Sequence, residues 1–379
     1  MIHRPRELVR HPDPQVDAAV EQVLGLLPSD TPHRDLLREL LVGTLRLPES
    51  GLDRMEMKIL ASTLRDFTSS FRVFGQHRHT KKVSIFGSAR TPPGTPAYLL
   101  TMELARRLAE RGYMVITGAG PGIMRAGNEG AGRERSFGVS IDLPFEPEAN
   151  DIIRGDEKLV HFKYFFTRKL SFVKESDAIV LLPGGLGTMD EGFETLTLLQ
   201  TGKCDPLPLV LLDVPGSNYW PSWERYLREN LLEKGLISPA DRNLFVYTSS
   251  VDRALQEIER FYFCYHSLRY VDDYCILRLR RRPGPQLMAT LNARYRDLLA
   301  EGDFELLEAP HRAERSEPEE VLALARIGFR FVQRGFGRLR RLIDELNLGE
   351  SVEIGAPPVP AAPEGGHLAI PAESGNGES

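Results

Sequence analysis

Between Lys82 and Phe263 the chain repeats one pattern, a short apolar run followed by an amphipathic helix. The strand candidates are "KVSIFG", "YMVITG", "FGVSIDL", "KLVHF", "AIVLLP", "LPLVLLD" and "NLFVYT". They are apolar throughout rather than alternating, which marks strands covered on both faces. Helices such as "AYLLTMELARRLAERG" and "WERYLRENLLEKG" fall between them and supply the cover. The pattern predicts an α/β fold built on a doubly wound parallel sheet.

The flanks read differently. Residues 1–78 carry "VDAAVEQVLGLL", "HRDLLRELLVGTL" and "RMEMKILASTLRDFTSSF", each with apolar residues at three and four spacing, and so predict a helical N-terminal segment. The sheet unit takes residues 79–265. A small α+β C-terminal unit follows over 266–348, with "YCILRLR" and "FELLEA" as strands and helices near Gln286 to Ala300 and Pro318 to Leu346. Residues 349–379 have the Pro, Gly and Ser content of a disordered tail.

Composition narrows the function classes. With 379 residues, 41% of them hydrophobic, the chain can bury a sizeable core. A formal net charge of -5, spread along the sequence, gives no general case for nucleic acid as a partner. Cys204, Cys264 and Cys275 lack paired or CxxC spacing, which argues for a reducing compartment and against a structural zinc. His77 and His79 stand alone in a polar linker, so no metal site is expected. The opening "MIHRPRELVRHPDP" has no apolar signal region and no run is long enough to span a membrane, so the expected location is cytoplasmic.

Three strands run directly into glycine loops: Gly87 and Ser88 after the first, Gly118, Gly120 and Gly122 after the second, and Gly184, Gly185 and Gly187 after "AIVLLP". Without Cβ, backbone amides can approach a phosphate, and the helix that follows adds unpaired donors. In an open parallel sheet such loops converge where strand order reverses. "TGAGPGIM" departs from the GxGxxG dinucleotide fingerprint, and no Walker lysine follows any of the glycines.

Beyond the third loop come Thr188, Asp190, Glu191 and Glu194. Thr188 and Glu191 have the spacing of a capping box, which would make them structural. Four residues of glycine and proline ahead of them are more than a cap requires, and a carboxylate near a bound phosphate suits a ligand that develops positive charge, as a ribose does on losing its base. Upstream, Arg168 and Lys169 lie on a helix apolar on most sides, where an arginine could clamp a phosphate or steady a leaving base. A non-hydrolytic protein that binds a nucleotide or cofactor on the same sheet is the alternative.

"PGGLGTMDE" at 183–191, "TRK" at 167–169, "FGSARTPP" and "TGAGPGIMRAGNEGA" together resemble the Lonely Guy family of nucleoside 5'-monophosphate phosphoribohydrolases. The resemblance covers about Lys82 to Phe263. It implies a Rossmann-like sheet, a homodimer or higher homo-oligomer, and a nucleoside monophosphate such as AMP or a cytokinin ribotide as substrate, with no cofactor. It makes Arg168 and Glu191 the catalytic pair with Lys169 beside them. Gly184, Gly185, Gly187 and Thr188 would wrap the ribose phosphate, Glu146 would contact the ribose, and Thr197 is a further substrate-binding position. Ala119 stands where the family's second loop more often has glycine.

Overall fold

The computed structural model describes residues 10–142 and 149–348. The predicted tail and Glu146 lie outside the described residues.

All seven predicted runs form one parallel sheet: β1 (Lys82–Phe86), β2 (Met114–Thr117), β3 (Ser136–Ile141), β4 (Leu159–Phe162), β5 (Ala178–Leu181), β6 (Leu209–Leu212) and β7 (Val246–Thr248). Their spatial order is β4-β3-β2-β1-β5-β6-β7. The chain winds outward from β1 to β4, then returns to β5 on the other side of β1 and winds out to β7. Strand order therefore reverses between β1 and β5, whose register runs Val83↔Ala178 to Phe86↔Leu181.

Side-chain alternation divides the core into two layers. Val83, Ile85, Val180 and Val210 point to one face, packed with Leu104, Ile123 and Leu255 from helices α4 (Pro96–Glu110), α5 (Ile123–Ala131) and α9 (Val251–Phe261). Phe86, Ile179, Leu181 and Leu209 point to the other. There they meet Phe74, Phe172, Leu199 and Trp220 from α3 (Arg54–Gly75), α6 (Phe165–Glu175), α7 (Leu186–Thr201) and α8 (Tyr219–Leu227). Ahead of α3, helices α1 (Pro14–Gly25) and α2 (Arg34–Arg46) pair around Val20, Leu24 and Val42.

The C-terminal residues build a four-stranded antiparallel sheet in the order β10-β11-β9-β8, from β8 (Tyr265–Val271), β9 (Tyr274–Leu279), β10 (Leu299–Leu307) and β11 (Ala325–Phe331). Two sequence expectations are corrected here. Helix α10 (Pro285–Arg294) stops short of Ala300, because Leu299 already belongs to β10. The helix expected over Pro318 to Leu346 is really α11 (Glu319–Leu322), strand β11 and α12 (Phe336–Leu348). "ARIGFRF" alternates Ile327, Phe329 and Phe331, all buried, with Arg326, Gly328 and Arg330, and that period of two settles it as a strand.

Several arginines of this unit are matched by carboxylates. Glu314, completely buried, accepts from Arg278 at 2.7 Å and Arg326 at 3.0 Å. Burial raises its pKa, but the two guanidiniums outweigh that and hold it below the usual carboxylate range. Arg340, 3% exposed, reaches Asp344, Glu257 and the backbone oxygen of Leu207, and so fastens α12 to α9 and to the segment just ahead of β6. Arg278, Arg326 and Arg340, all buried, thus serve packing within the fold.

Candidate functional site

The three glycine loops meet at the switch point between β1 and β5, and their own backbones tie them together. The Ser88 amide donates to the Pro183 oxygen at 3.1 Å, and the Ser88 oxygen accepts from the Ile123 amide at 3.0 Å. Ser88 thus joins all three loops, and its amide is already engaged. Gly87 lies against Ile123, which a Cβ would meet at 2.7 Å. Gly122 takes φ 65 and ψ -130, and a Cβ there would lie 2.3 Å from the Ser88 oxygen. Gly118 and Gly120 leave room for Met124, and Gly118 also for Arg168, whose Nη2 a Cβ would meet at 2.5 Å. Ala119 adopts φ 63, the left-handed conformation a glycine would take more easily. Asn150 holds it there, donating to the Ala119 oxygen from its amide at 2.7 Å and from Nδ2 at 3.0 Å. Asn150 has no signature in the sequence, because its partners lie 30 residues away.

In the third loop Gly184 sits against Thr188, and the Tyr219 hydroxyl clasps it, donating to its oxygen at 2.6 Å and accepting from its amide at 3.2 Å. A Cβ on Gly185 or Gly187 would meet nothing within 4 Å, so these two glycines leave open space instead of accommodating a neighbour. Helix α7 begins here with Gly185 as its N-cap and no side-chain cap. The capping box that the Thr188–Glu191 spacing would allow does not form, since both residues are already inside the helix. The uncapped first turn leaves amides available to an anion.

Glu191 is 8% exposed, on the same helix. Lys169 Nζ lies 2.9 Å from Asp190, 2.8 Å from Glu194 and 4.0 Å from Glu191. Among the described residues no donor holds the Glu191 carboxyl within hydrogen-bonding distance. Burial pushes its pKa up to about 7, with Lys169 and Arg168 pulling the other way. Burial pulls Lys169 down, yet Glu194, Asp190 and Glu191 more than compensate and leave its pKa raised. Arg168 lies over the Phe172 ring at 5.2 Å and donates from Nε to the Val139 oxygen at 2.9 Å, which turns its fork toward Gly118.

Gly87, Ser88, Gly118, Gly120, Gly122, Gly184, Gly185, Gly187, Thr188, Arg168, Lys169 and Glu191 thus lie on the three loops after β1, β2 and β5 and on α6 and α7, linked by these contacts. Thr197 does not join them. It is exposed and lines a separate, mostly apolar cavity of about 200 Å³ together with Phe193, Leu196 and Leu231.

Residues 121–258 match a family model described as possible lysine decarboxylase. The chain is 28% identical over 194 residues to the probable cytokinin riboside 5'-monophosphate phosphoribohydrolase LOGL3 of Oryza sativa subsp. japonica, covering 50% of this chain and 89% of that one. To the cytokinin riboside 5'-monophosphate phosphoribohydrolase LOG1 of Arabidopsis thaliana it is 30% identical over 163 residues, covering 42% of this chain and 74% of that one. The chain belongs to the Lonely Guy family. The matched residues of the family model run from the end of the second glycine loop into α9; α1 to α4, β1, β2 and the four-stranded sheet lie outside them. A molybdenum cofactor binding protein from Rippkaea orientalis shares 20% identity at a TM-score of 0.35, covering 48% of this chain and 96% of that one. A score that low adds nothing about function. Family membership makes a nucleotide the expected ligand class, and among the described residues no helix is long and apolar enough to cross a membrane.

Proposed function

We propose that this protein hydrolyses the N-glycosidic bond of a nucleoside 5'-monophosphate, of the AMP or cytokinin riboside monophosphate type, to free base and ribose 5-phosphate. The observation that carries the reading is Glu191, a buried carboxyl with its pKa near 7, just inside a helix whose uncapped first turn suits a phosphate. The names of the rice and Arabidopsis relatives support the same reaction class.

In this mechanism the 5'-phosphate sits on the first-turn amides of α7, in the space left open at Gly185 and Gly187, with Arg168 as a second anchor. The ionised Glu191 faces the anomeric carbon. As the bond from that carbon to the base nitrogen breaks, the ribose gains oxocarbenium character, which the carboxylate stabilises. Water oriented by Glu191 bonds to the same carbon; its oxygen stays with the sugar and a proton goes to the departing base nitrogen. Lys169 tunes Glu191 without binding it closely.

The lysine decarboxylase label carried by the family model implies pyridoxal phosphate, and the residues do not fit that cofactor. An aldimine needs a neutral amine, whereas Lys169, the lysine at these loops, is held as an ammonium among three carboxylates.

Incubating the protein with a panel of nucleoside 5'-monophosphates should release free base and ribose 5-phosphate from at least one. Glu191→Gln should abolish release while leaving nucleotide binding within a few-fold of wild type. Undiminished turnover by that variant would overturn the assignment.

A further inference from the structure

The side chains that helix α3 buries are Ser62, Asp66, Ser70 and Phe74, one every four residues, and three of the four are polar. A helix covering a sheet usually buries an apolar stripe, and buried polar groups persist where they find hydrogen-bond partners. Here the partners lie on and just ahead of α6. One oxygen of the Asp66 carboxylate accepts from the Lys163 amide at 3.0 Å and from the Thr167 hydroxyl at 2.8 Å. Four residues further along α3, Ser70 donates to the Ser171 hydroxyl at 3.2 Å, and Ser171 in turn donates to the Thr167 backbone oxygen at 3.1 Å.

Helix α6 has no side-chain cap of its own, because Tyr164 stands at its N-cap position. Asp66 supplies a carboxylate from another helix, at the end where the helix dipole favours negative charge. The residue is 6% exposed, and its two partners lie 97 and 101 positions away in sequence. Its bonds hold both the corner between β4 and α6 and the first turn of α6. Arg168 and Lys169 follow Thr167 directly. The Arg168 fork is tied by Nε to the Val139 oxygen at 2.9 Å and lies close beside Gly118, so a shift of about 1 Å in that first turn takes it out of place.

We infer that Asp66 is a positioning residue for the site: by accepting these two hydrogen bonds it fixes the first turn of α6 and so places Arg168 and Lys169 opposite α7. Helix α3 lies ahead of the residues that match the family model, so the N-terminal segment acquires a part in the site that the matched core does not supply. The effect of Asp66 on turnover rests on the hydrolase reading above; its effect on the charge of Glu191 does not. Burial raises the Glu191 pKa most, Lys169 and Arg168 on α6 lower it, and Glu194 and Asp190 on α7 raise it. Releasing the start of α6 draws the two cations away, and the Glu191 pKa then climbs further.

The test uses the full chain. Asp66→Ala should lower kcat/KM by roughly 10- to 100-fold on whichever nucleoside 5'-monophosphate the wild type hydrolyses, and move the rising limb of its pH profile upward by about half a unit or more. Asp66→Asn, which keeps an acceptor oxygen, should stay within about threefold of wild type. Thr167→Val removes one of the two bonds while keeping the side-chain shape; it should move the limb the same way by less, and it serves should Asp66→Ala not fold. Phe74→Leu is the control, because Phe74 stacks on Phe137 with centroids 4.5 Å apart and takes part in neither bond. That variant loosens α3 and should leave the limb in place. Titration of the Glu191 carboxyl by 13C NMR, assigned against Glu191→Gln, reads the same shift without turnover. A midpoint unmoved by Asp66→Ala, one moved equally by Phe74→Leu, or a loss in Asp66→Asn as large as in Asp66→Ala would each overturn the assignment. A wild type that releases no base refutes the hydrolase reading, and the NMR titration then decides the role of Asp66 alone.

Discussion

Lys169 Nζ stands 4.0 Å from the Glu191 carboxyl, close enough to act on its charge and too far for a hydrogen bond. Its shorter contacts go to Asp190 and Glu194, so the cation stabilises ionised Glu191 without occupying the oxygens that would face substrate.

That relationship predicts a pH profile. If the ionised carboxyl is the working form, kcat/KM rises with pH through about 7 and then levels. Lys169→Met removes a charge that lowers the Glu191 pKa, so the rising limb moves to higher pH, by about half a unit or more. Activity at pH 9 then recovers toward wild type. A limb that stays in place, with activity lost equally at every pH, would show that Lys169 acts through structure alone.

The same burial has a stability consequence. Glu191 titrates near 7 when folded, against a usual value of 4.5, so between these values the unfolded chain has released a proton that the folded protein keeps. Its contribution is complete below about 4.5 and is lost as pH rises through 7, amounting to about 3 kcal/mol. Glu191→Gln, which cannot ionise, should raise the urea midpoint at pH 8 and leave it nearly unchanged at pH 4. Equal effects at both pH values would refute the desolvation account.

Gly118→Ala tests the position of Arg168. The added Cβ would meet Nη2 at 2.5 Å, and a flexible side chain can swing away at little cost to the fold. The expected result is a kcat/KM lower by roughly 10- to 100-fold, with Tm almost unchanged. Unchanged kinetics would mean that the Arg168 fork does no work where it now sits.

Gly122→Ala should instead damage the fold. Its backbone conformation is one that essentially only glycine adopts, and the new Cβ would strike the Ser88 oxygen, which cannot yield without parting two loops. A loss of about 3 kcal/mol or more in urea unfolding is expected. Gly185→Ala is the contrast. Its Cβ meets nothing, so stability should hold within about 0.5 kcal/mol while nucleotide affinity falls.

The parallel sheet and its loops were legible because their signals are local. An apolar run of four to six residues with turn residues after it reads as a covered strand wherever it lies, and glycine after a strand marks a close approach whatever approaches. All seven strands of the parallel sheet follow from such patterns, and the loop positions, Ser88 among them, were named from the glycine pattern or the family resemblance; what the sequence did not show is that the Ser88 backbone knits the loops together. Asn150 and Tyr219 were missed because each acts on a loop about 30 residues away in sequence. Strand β11 was missed because four arginines and three phenylalanines in one stretch fit a helical spacing nearly as well as an alternating one.

The sequence by itself determined which segments become strands and helices, where the chain turns, and that glycine-lined amides gather at one end of a sheet. Tertiary structure decided what each surface meets. It pushed the Glu191 pKa up to about 7 through burial, matched Glu314 with two arginines, and left Leu60 and Leu64 of α3 exposed. The reason is physical: periodicity arises from bonds along the chain, whereas the pKa of a carboxyl and the face a helix presents depend on atoms brought together only by folding.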